Sequence, residues 1–365
     1  MIGIYVHIPF CVRKCLYCDF VSYVTTEEVR AAYVARLLKD IAETDVKETV
    51  DTVYIGGGTP SVLEAKDICM IMDAIRERFT LTDDCECSME VNPGTVSTEK
   101  LISYRKAGIN RLSIGLQSCD DKELETLGRI HSCEMFMDAY RMAREAGFEN
   151  INIDLMSAIP GQTKESYKET LQKVLQLKPE HISAYSLIVE EGTPFADMEL
   201  NLASEEDERC MYYETDRLLS DAGYVRYEIS NYALPGCECR HNIRYWTGKE
   251  YLGFGVAAAS FYKGCRSKNA AGLDAYIANG PESEENVMLT DEDTMEEFFY
   301  LGLRMCRGVE EEAFLRRFGM YPQEVYGDVL EKHVRDGLLV REDGRIRLTS
   351  RGIDVSNYVL CDFIL

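Results

Sequence analysis

Apolar segments and amphipathic segments alternate along the first half of the sequence, and this alternation limits the fold more than any other feature. Six apolar runs have the length and composition of buried strands, at residues 2–8, 50–55, 86–91, 111–116, 150–159 and 181–187. Amphipathic stretches typical of helices lie between them, at 33–41, 65–79, 100–107, 135–146 and 167–177. Strands and helices that alternate in this way form a parallel sheet covered by helices. The sequence therefore predicts an α/β protein.

The pattern alone does not choose between a two-sided sheet and an open barrel, but six consecutive units suit a partial (β/α)6 TIM-like barrel better. We assign residues 1–235 to this barrel and residues 236–289 to an irregular connection. Residues 290–365 carry three candidate helices and two strand-like runs around Asp343-Gly344, which predicts an α+β, winged-helix-like domain. No basic recognition face accompanies this domain, so DNA binding is disfavoured.

Charge and cysteine content exclude several classes of function. The chain has 63 acidic and 40 basic residues and a net charge of −23, which argues against binding nucleic acid or an anionic membrane surface. No run approaches the ~20 apolar residues of a membrane span, and the N-terminus lacks the features of a signal peptide. Fourteen cysteines without such a signal indicate a reducing compartment, so we expect a cytoplasmic protein without an integral membrane segment.

Three cysteines near the start of the chain point to a metal cluster. They lie in Cys11-Val-Arg-Lys-Cys15-Leu-Tyr-Cys18, a C-x3-C-x2-C spacing that brings three thiolates together on one short loop. Three thiolates suit a [4Fe–4S] cluster that keeps one iron open to a small molecule. A zinc site would need a fourth cysteine or histidine, and the next candidates are distant in sequence.

Further polar or flexible groups follow the predicted strands. Gly57, Gly58 and Thr59 come directly after the second strand, where glycines let the backbone approach a ligand or form a tight turn. Three polar side chains end the next three strands, and an arginine follows the fourth; they are Glu90, Gln117, Asp154 and Arg129. Each alone would be a helix cap or a surface ion pair, but in parallel barrels functional groups gather at these strand ends.

Taken together, the motifs at residues 5–11, 56–61, 90–95, 110–117, 127–131 and 182–187 resemble the radical S-adenosylmethionine superfamily. Within it they look like the branch of coproporphyrinogen dehydrogenases and HemW-like haem chaperones. The resemblance implies a [4Fe–4S] cluster on Cys11, Cys15 and Cys18, an electron donor for it, and bound S-adenosylmethionine. The residues that it implies around S-adenosylmethionine are Tyr5, Tyr17, Gly57, Gly58, Thr59, Glu90, Gln117, Arg129 and Asp154.

Two departures separate this chain from the oxygen-independent coproporphyrinogen oxidase. That enzyme has a further cysteine two places after the third, where this chain has Phe20. It also has a longer arm before the cysteine loop, whereas ten residues precede Cys11 here. Both departures disfavour oxidative decarboxylation of coproporphyrinogen.

The sequence Arg240-His-Asn-Ile-Arg-Tyr-Trp246 matches the H-N-x-x-Y-W motif of HemW-like haem chaperones. His241, or the thiolate of Cys239, is a candidate ligand for haem iron, and Tyr245 and Trp246 offer flat apolar surface to the macrocycle. The alternatives are a structural loop with a hydrogen-bonded histidine, and a small metal clip. A related family stretch often has a histidine where this chain has Ala259.

Two functions follow from the resemblance. The first is a haem chaperone that delivers haem to haemoproteins such as respiratory enzymes. The second is a radical enzyme that acts on a porphyrinogen or another tetrapyrrole. The sequence does not identify the haem acceptor and leaves a homodimer open.

Overall fold

The computed structural model describes all 365 residues, and its main element is a twelve-stranded sheet. Its central six strands are parallel and adjacent in chain order, which confirms the predicted six-unit architecture. They are β1 (Ile2–Ile8), β2 (Val50–Gly57), β3 (Leu81–Val91), β4 (Arg111–Gln117), β5 (Asn150–Ser157) and β6 (His181–Ser186). Because β1 and β6 do not pair with each other, the barrel is open.

Helices connect these strands, and the main apolar core of 49 buried residues contains side chains from both. The helices are α1 (Glu27–Glu43), α2 (Ala65–Arg78), α3 (Thr98–Lys106), α4 (Asp121–Thr126), α5 (Cys133–Glu145) and α6 (Lys164–Leu177). Local sequence sets their ends: Thr163 and Ser166 form a capping box at the start of α6. Gly147 follows α5 with a φ of +88°, a conformation that glycine adopts without strain.

Additional strands extend the sheet at both ends. After α7 (Glu205–Asp221), the strands β7 (Val225–Glu228) and β8 (Asn231–Ala233) add antiparallel beside β6. At the other end β9 (Tyr251–Phe254) pairs parallel with β1, followed by β10 (Ala259–Tyr262), β11 (Cys265–Asn269) and β12 (Ser283–Met288). Two short helices, α8 (Arg240–Trp246) and α9 (Leu273–Asn279), complete this region. Residues 236–289, expected as an irregular connection, thus contribute four strands to the sheet.

The C-terminal residues form a smaller unit with its own apolar core of 14 buried residues. Its helices are α10 (Asp291–Gly302), α11 (Glu311–Phe318), α12 (Pro322–Arg335), α13 (Ser350–Asp354) and α14 (Ser356–Cys361). Its strands β13 (Val309–Glu310), β14 (Leu339–Glu342) and β15 (Arg345–Leu348) form an antiparallel sheet in the order β13–β15–β14. The helices and hairpin agree with the predicted winged-helix-like shape. None of the helices combines the length and the apolar character that a membrane crossing requires.

Candidate functional site

The carboxyl ends of the parallel strands and the cysteine loop enclose a cavity of about 500 Å³, here called the cysteine cavity. Cys11, Cys15 and Cys18 all line it. Backbone hydrogen bonds fix the loop, because Cys11 N donates to Tyr23 O at 3.0 Å and Leu16 N donates to Leu127 O at 3.0 Å. The loop is therefore held over the ends of the strands.

All three cysteines are free thiols, with Cys11 buried and Cys15 and Cys18 half-buried. Burial raises the pKa of Cys18 to about 11, and the neighbouring cysteines add to the shift. No three His, Cys, Asp or Glu side chains of the chain converge on the position of one metal ion. In a [4Fe–4S] cubane each thiolate binds a different iron, so three cysteines around a cavity fit a cluster better than a single zinc ion.

Two carboxyl groups lie inside the barrel. Glu90 accepts hydrogen bonds from Tyr54 Oη at 2.9 Å and from Gly57 N at 3.0 Å. Asp154 accepts from Ser113 Oγ at 3.0 Å and from Asn152 Nδ2 at 2.7 Å. Burial raises the pKa of both groups, to about 7 for Glu90, and the charge of Asp154 adds to the Glu90 shift. A ligand with an ammonium group or hydroxyl donors would satisfy them.

A buried guanidinium lies between these carboxyl groups and the cysteine loop. Arg129 donates through Nη2 to Gly115 O at 2.8 Å and through Nη1 to Cys15 Sγ at 3.7 Å. Its Nε is buried without a hydrogen-bond partner in the chain, and the guanidinium as a whole lines the cavity. Gln117 adopts a φ of +70° and accepts from Tyr185 Oη at 3.0 Å, so its side chain is held at the end of β4.

The glycine segment after β2 packs directly against the cysteine loop. A Cβ on Gly58 would lie 2.7 Å from Phe10 O and 3.1 Å from Cys11 Sγ, so only glycine permits this approach. Thr59 Oγ1 lies 3.6 Å from Cys11 Sγ, and Thr59 N donates to Phe10 O at 2.7 Å. Glycine therefore lets the backbone pack closely against the cysteine loop, and Gly57, Gly58 and Thr59 also line the cavity.

The structure places eight of the nine residues expected around S-adenosylmethionine on the walls of the cysteine cavity: Tyr17, Gly57, Gly58, Thr59, Glu90, Gln117, Arg129 and Asp154. Tyr5 lies instead beside the second cavity described below, where its hydroxyl bonds His7 Nδ1 at 2.9 Å. Sequence reasoning missed Tyr54, Ser113 and Tyr185, which orient the polar groups from inside the barrel. Their alternation with apolar residues along the strands was the available signal.

The H-N-x-x-Y-W motif forms α8, which packs beside the amino-terminal halves of β1–β3. The His241 side chain is fully buried, with Nδ1 2.9 Å from Thr52 Oγ1 and Nε2 2.8 Å from Tyr245 Oη. Its ring stacks on Tyr54 with centroids 5.3 Å apart, and burial lowers its pKa to about 3. The structure therefore does not present His241 to an iron ion, because both ring nitrogens are already hydrogen-bonded.

Cys239 is equally inaccessible at the start of the same helix. It is 0% exposed, and burial raises the pKa of its thiol to about 12. Glu86 accepts from Arg240 N at 3.0 Å and from His241 N at 3.1 Å, which satisfies two of the free amides at the start of the helix. In this conformation the side chains of Cys239 and His241 are buried within the fold, as in the structural alternative for this motif, and their assignment as haem ligands stays a prediction.

Tyr245 and Trp246 do reach a cavity. This second cavity, here called the aromatic cavity, has a volume of about 650 Å³. Phe20, Tyr251 and Phe261 also line it. It adjoins the cysteine cavity, since Asp19, Phe20, Gly57 and Glu90 line both. A flat apolar molecule in the aromatic cavity would lie next to the cluster site.

Comparison with known proteins gives the class of protein. Residues 5–174 match the family described as the Radical SAM superfamily, and residues 289–355 match the HemN C-terminal domain. The structure resembles coproporphyrinogen III oxidase (HemN) from Escherichia coli, described as a radical SAM enzyme, with a TM-score of 0.88 and 25% identity. That likeness covers 100% of this chain and 90% of the other. The fold and the cysteine cavity define a radical SAM protein.

The particular family follows from full-length relatives. The chain is 36% identical to the protein named Heme chaperone HemW of Lactococcus lactis, over 99% of this chain and 97% of that protein. It is 35% identical to the protein of the same name from Bacillus subtilis, over 99% and 98%. The corresponding values for Escherichia coli are 34% identity over 96% and 95%. The chain belongs to the HemW family.

Proposed function

We propose that this protein is a cytoplasmic haem chaperone. It binds a [4Fe–4S] cluster and S-adenosylmethionine in the cysteine cavity and haem in the aromatic cavity. It then delivers haem to haemoproteins such as respiratory enzymes. The observation that carries this proposal is the contact between the two cavities, which share Asp19, Phe20, Gly57 and Glu90. The relatives named Heme chaperone HemW support it over the full length of the chain.

The residues of the cysteine cavity match the proposed cofactors in charge and in type. Cys11, Cys15 and Cys18 would hold the cluster, which supplies an electron for reductive cleavage of S-adenosylmethionine when an external donor reduces it. Arg129, whose guanidinium lines the cysteine cavity, would bind the methionine carboxylate. Glu90 would accept from the methionine ammonium, and Asp154 from ribose hydroxyls. All fourteen cysteines are free thiols, which is consistent with the reducing cytoplasm.

A second candidate function is oxidation of coproporphyrinogen, which the structural likeness to HemN favours. Phe20 argues against it. Its side chain is 60% exposed at the junction of the two cavities, and a phenyl group has no proton or electron to exchange with a substrate there. The same phenyl group offers apolar contact to a tetrapyrrole.

One anaerobic preparation separates the two functions. The chain is reconstituted with iron and sulfide, titrated with ferric haem, and in parallel incubated with coproporphyrinogen, S-adenosylmethionine and a reductant. The chaperone function predicts saturable haem binding, no protoporphyrinogen, and transfer of the bound haem to a haem-free acceptor protein. Robust formation of protoporphyrinogen would refute the chaperone assignment.

Two variants serve as controls in this experiment. Cys15→Ala removes one proposed cluster ligand and is expected to lose the cluster absorbance while still binding haem, because Cys15 does not line the aromatic cavity. Phe261→Ala opens the aromatic cavity and is expected to weaken haem binding while the cluster forms normally. If Cys15→Ala lost haem binding and Phe261→Ala retained it, haem would instead bind in the cysteine cavity.

A further inference from the structure

The aromatic cavity contains several side chains that bind iron in other proteins, and nearly all of them are engaged. Both ring nitrogens of His7 are hydrogen-bonded: Nδ1 to Tyr5 Oη at 2.9 Å, and Nε2 to Val21 O at 2.9 Å. Tyr245 Oη is bonded to His241 Nε2 at 2.8 Å. No cysteine or methionine lines the cavity. The histidine and two of the three phenols are therefore satisfied within the chain.

Tyr251 is the exception. It is the first residue of β9, lines the cavity, and its hydroxyl makes no hydrogen bond with the chain. Its oxygen is also not among the sealed, unpartnered polar atoms of the chain, so it is not closed off from solvent. The Tyr245 ring meets it edge-on, with centroids 4.6 Å apart and planes at 82°, which fixes the orientation of the phenol.

We infer that Tyr251 is the protein ligand of ferric haem in the aromatic cavity. This assignment rests on the proposed function and names the iron ligand that His241 cannot be in this conformation. Binding forms one bond between the phenolate oxygen and Fe(III), a water molecule leaves the iron, and the phenol proton passes to solvent. No electron is transferred. A tyrosine ligates haem iron in catalase, so the chemistry has a precedent.

One neighbouring cation favours the phenolate form of Tyr251. Burial raises the pKa of the phenol, the guanidinium of Arg266 opposes that shift, and the carboxylate of Glu297 adds to it. Arg266 is fixed by a bidentate ion pair with Glu297, one arm of which measures 3.0 Å. Bound Fe(III) would add positive charge beside the oxygen and so favour the phenolate.

The rim of the cavity matches the remaining polar groups of haem. Lys249 and Lys268 line it, and both side chains are exposed. Haem carries two propionate carboxylates on one edge, and two ammonium groups at the mouth would pair with them while the apolar part lies inside. The cavity thus presents an iron ligand, flat aromatic walls and two cations.

The test uses the full chain titrated with ferric haem and followed by absorption and electron paramagnetic resonance spectroscopy. The wild type is expected to show the high-spin ferric signal and the charge-transfer band of a phenolate ligand. Tyr251→Phe is expected to lose that band and to bind haem about tenfold or more weakly, a change of roughly 1.4 kcal/mol. Tyr251→His is expected to bind haem with a histidine-type spectrum instead. Tyr262→Phe is the matched control, because Tyr262 bonds Glu48 and does not line the cavity.

The outcomes distinguish this inference from the proposed function. If the wild type binds haem and Tyr251→Phe keeps both the band and the affinity, the ligand assignment is wrong and the chaperone function stands. If the wild type does not bind haem at all, the proposed function itself fails. Circular dichroism of each variant checks folding, and Tyr251→His supplies the decisive spectrum should Tyr251→Phe not fold.

Haem dimethyl ester tests the lysines separately. With both carboxylates blocked, Lys249→Ala/Lys268→Ala is expected to bind the ester as well as the wild type does, but to bind free haem several-fold more weakly. Equal weakening for both ligands would overturn the role of the lysines in binding carboxylates.

Discussion

Replacing His241 by alanine tests whether this histidine holds α8 in place or binds haem. The imidazole is 0% exposed, lies between Thr52 and Tyr245, and stacks on Tyr54. Each ring nitrogen has a hydroxyl partner, so no nitrogen is free for iron. The structure therefore predicts a large loss of stability and an unchanged haem ligand.

The magnitude follows from two contributions. Removing a large buried side chain costs about 2–5 kcal/mol, depending on how far the surroundings relax. The hydroxyls of Thr52 and Tyr245 would each lose a partner, at about 1 kcal/mol or more. Because the two contributions overlap, we expect a loss of about 4 kcal/mol in the free energy of unfolding. Thr52→Val, which removes one partner and preserves the shape, is expected to cost about 1–2 kcal/mol.

Urea unfolding of the unliganded chain, followed by circular dichroism, measures these losses, and haem titration at low urea measures the ligand. A lower unfolding midpoint with an unchanged ferric spectrum is expected for His241→Ala. The reasoning is refuted if His241→Ala keeps the wild-type midpoint and loses the haem spectrum, because His241 would then be a ligand rather than a structural residue.

The same histidine predicts a pH dependence. Burial lowers its pKa to about 3, below the value of about 6.5 expected in the unfolded chain. Below pH 6.5 the unfolded state binds a proton that the folded state does not. The free energy of unfolding therefore decreases as the pH is lowered from about 6.5 to about 3. From pH 6.5 to pH 5 this amounts to about 2 kcal/mol. His241→Ala should lack this part of the acid sensitivity, and urea midpoints at the two pH values measure the difference.

Three further predictions address separate parts of the molecule. Burial and the charge of Asp154 raise the pKa of Glu90 to about 7. A bound ammonium group should lower this pKa, so binding of S-adenosylmethionine should release protons near pH 7. Calorimetry in buffers of different ionisation enthalpy measures this release, and Glu90→Gln should abolish it. Arg244 is 3% exposed and paired with Asp51, so Arg244→Met should cost about 3–5 kcal/mol in urea unfolding by leaving that carboxylate unpaired. Thr163→Ala removes the capping box of α6 and should cost about 1 kcal/mol, measured in the same way.

Much of the barrel follows from the sequence, because each strand is a buried run and each helix has one apolar face. Strand β1 has the predicted bounds, and the other five agree to within a few residues, except that β3 begins at Leu81 rather than at residue 86. The first part of β3 includes Asp83 and Asp84. Because these residues are charged, a search for apolar runs does not detect this part of the strand. Strands β9–β12 were not predicted from the sequence for a related reason. They are short, and β12 is exposed along its whole length.

Several residues on the walls of the cysteine cavity were predictable because they lie in or just after the carboxyl-terminal halves of parallel strands, whose ends come together at one edge. Tyr251 was not predictable in this way. It lies at the start of β9, which is far from β1 in sequence and pairs with it only in the folded chain. A free phenol differs from a bonded one only in its surroundings, so the sequence could not separate Tyr251 from Tyr245.

The spacing of the H-N-x-x-Y-W motif predicts which of its side chains lie close together, but it does not predict whether they face the core or a cavity. His241 and Tyr245 are four residues apart on a helix, so they share a face and bond each other. That face packs against β2, which hides the histidine and leaves only part of the tyrosine at the aromatic cavity. Trp246 points toward the C-terminal unit, where the Arg304 guanidinium lies 4.4 Å from the centroid of its ring. Because one short helix contacts the barrel, the aromatic cavity and the C-terminal unit, a ligand that displaced Tyr245 would also disturb Trp246 and its contact with the C-terminal unit.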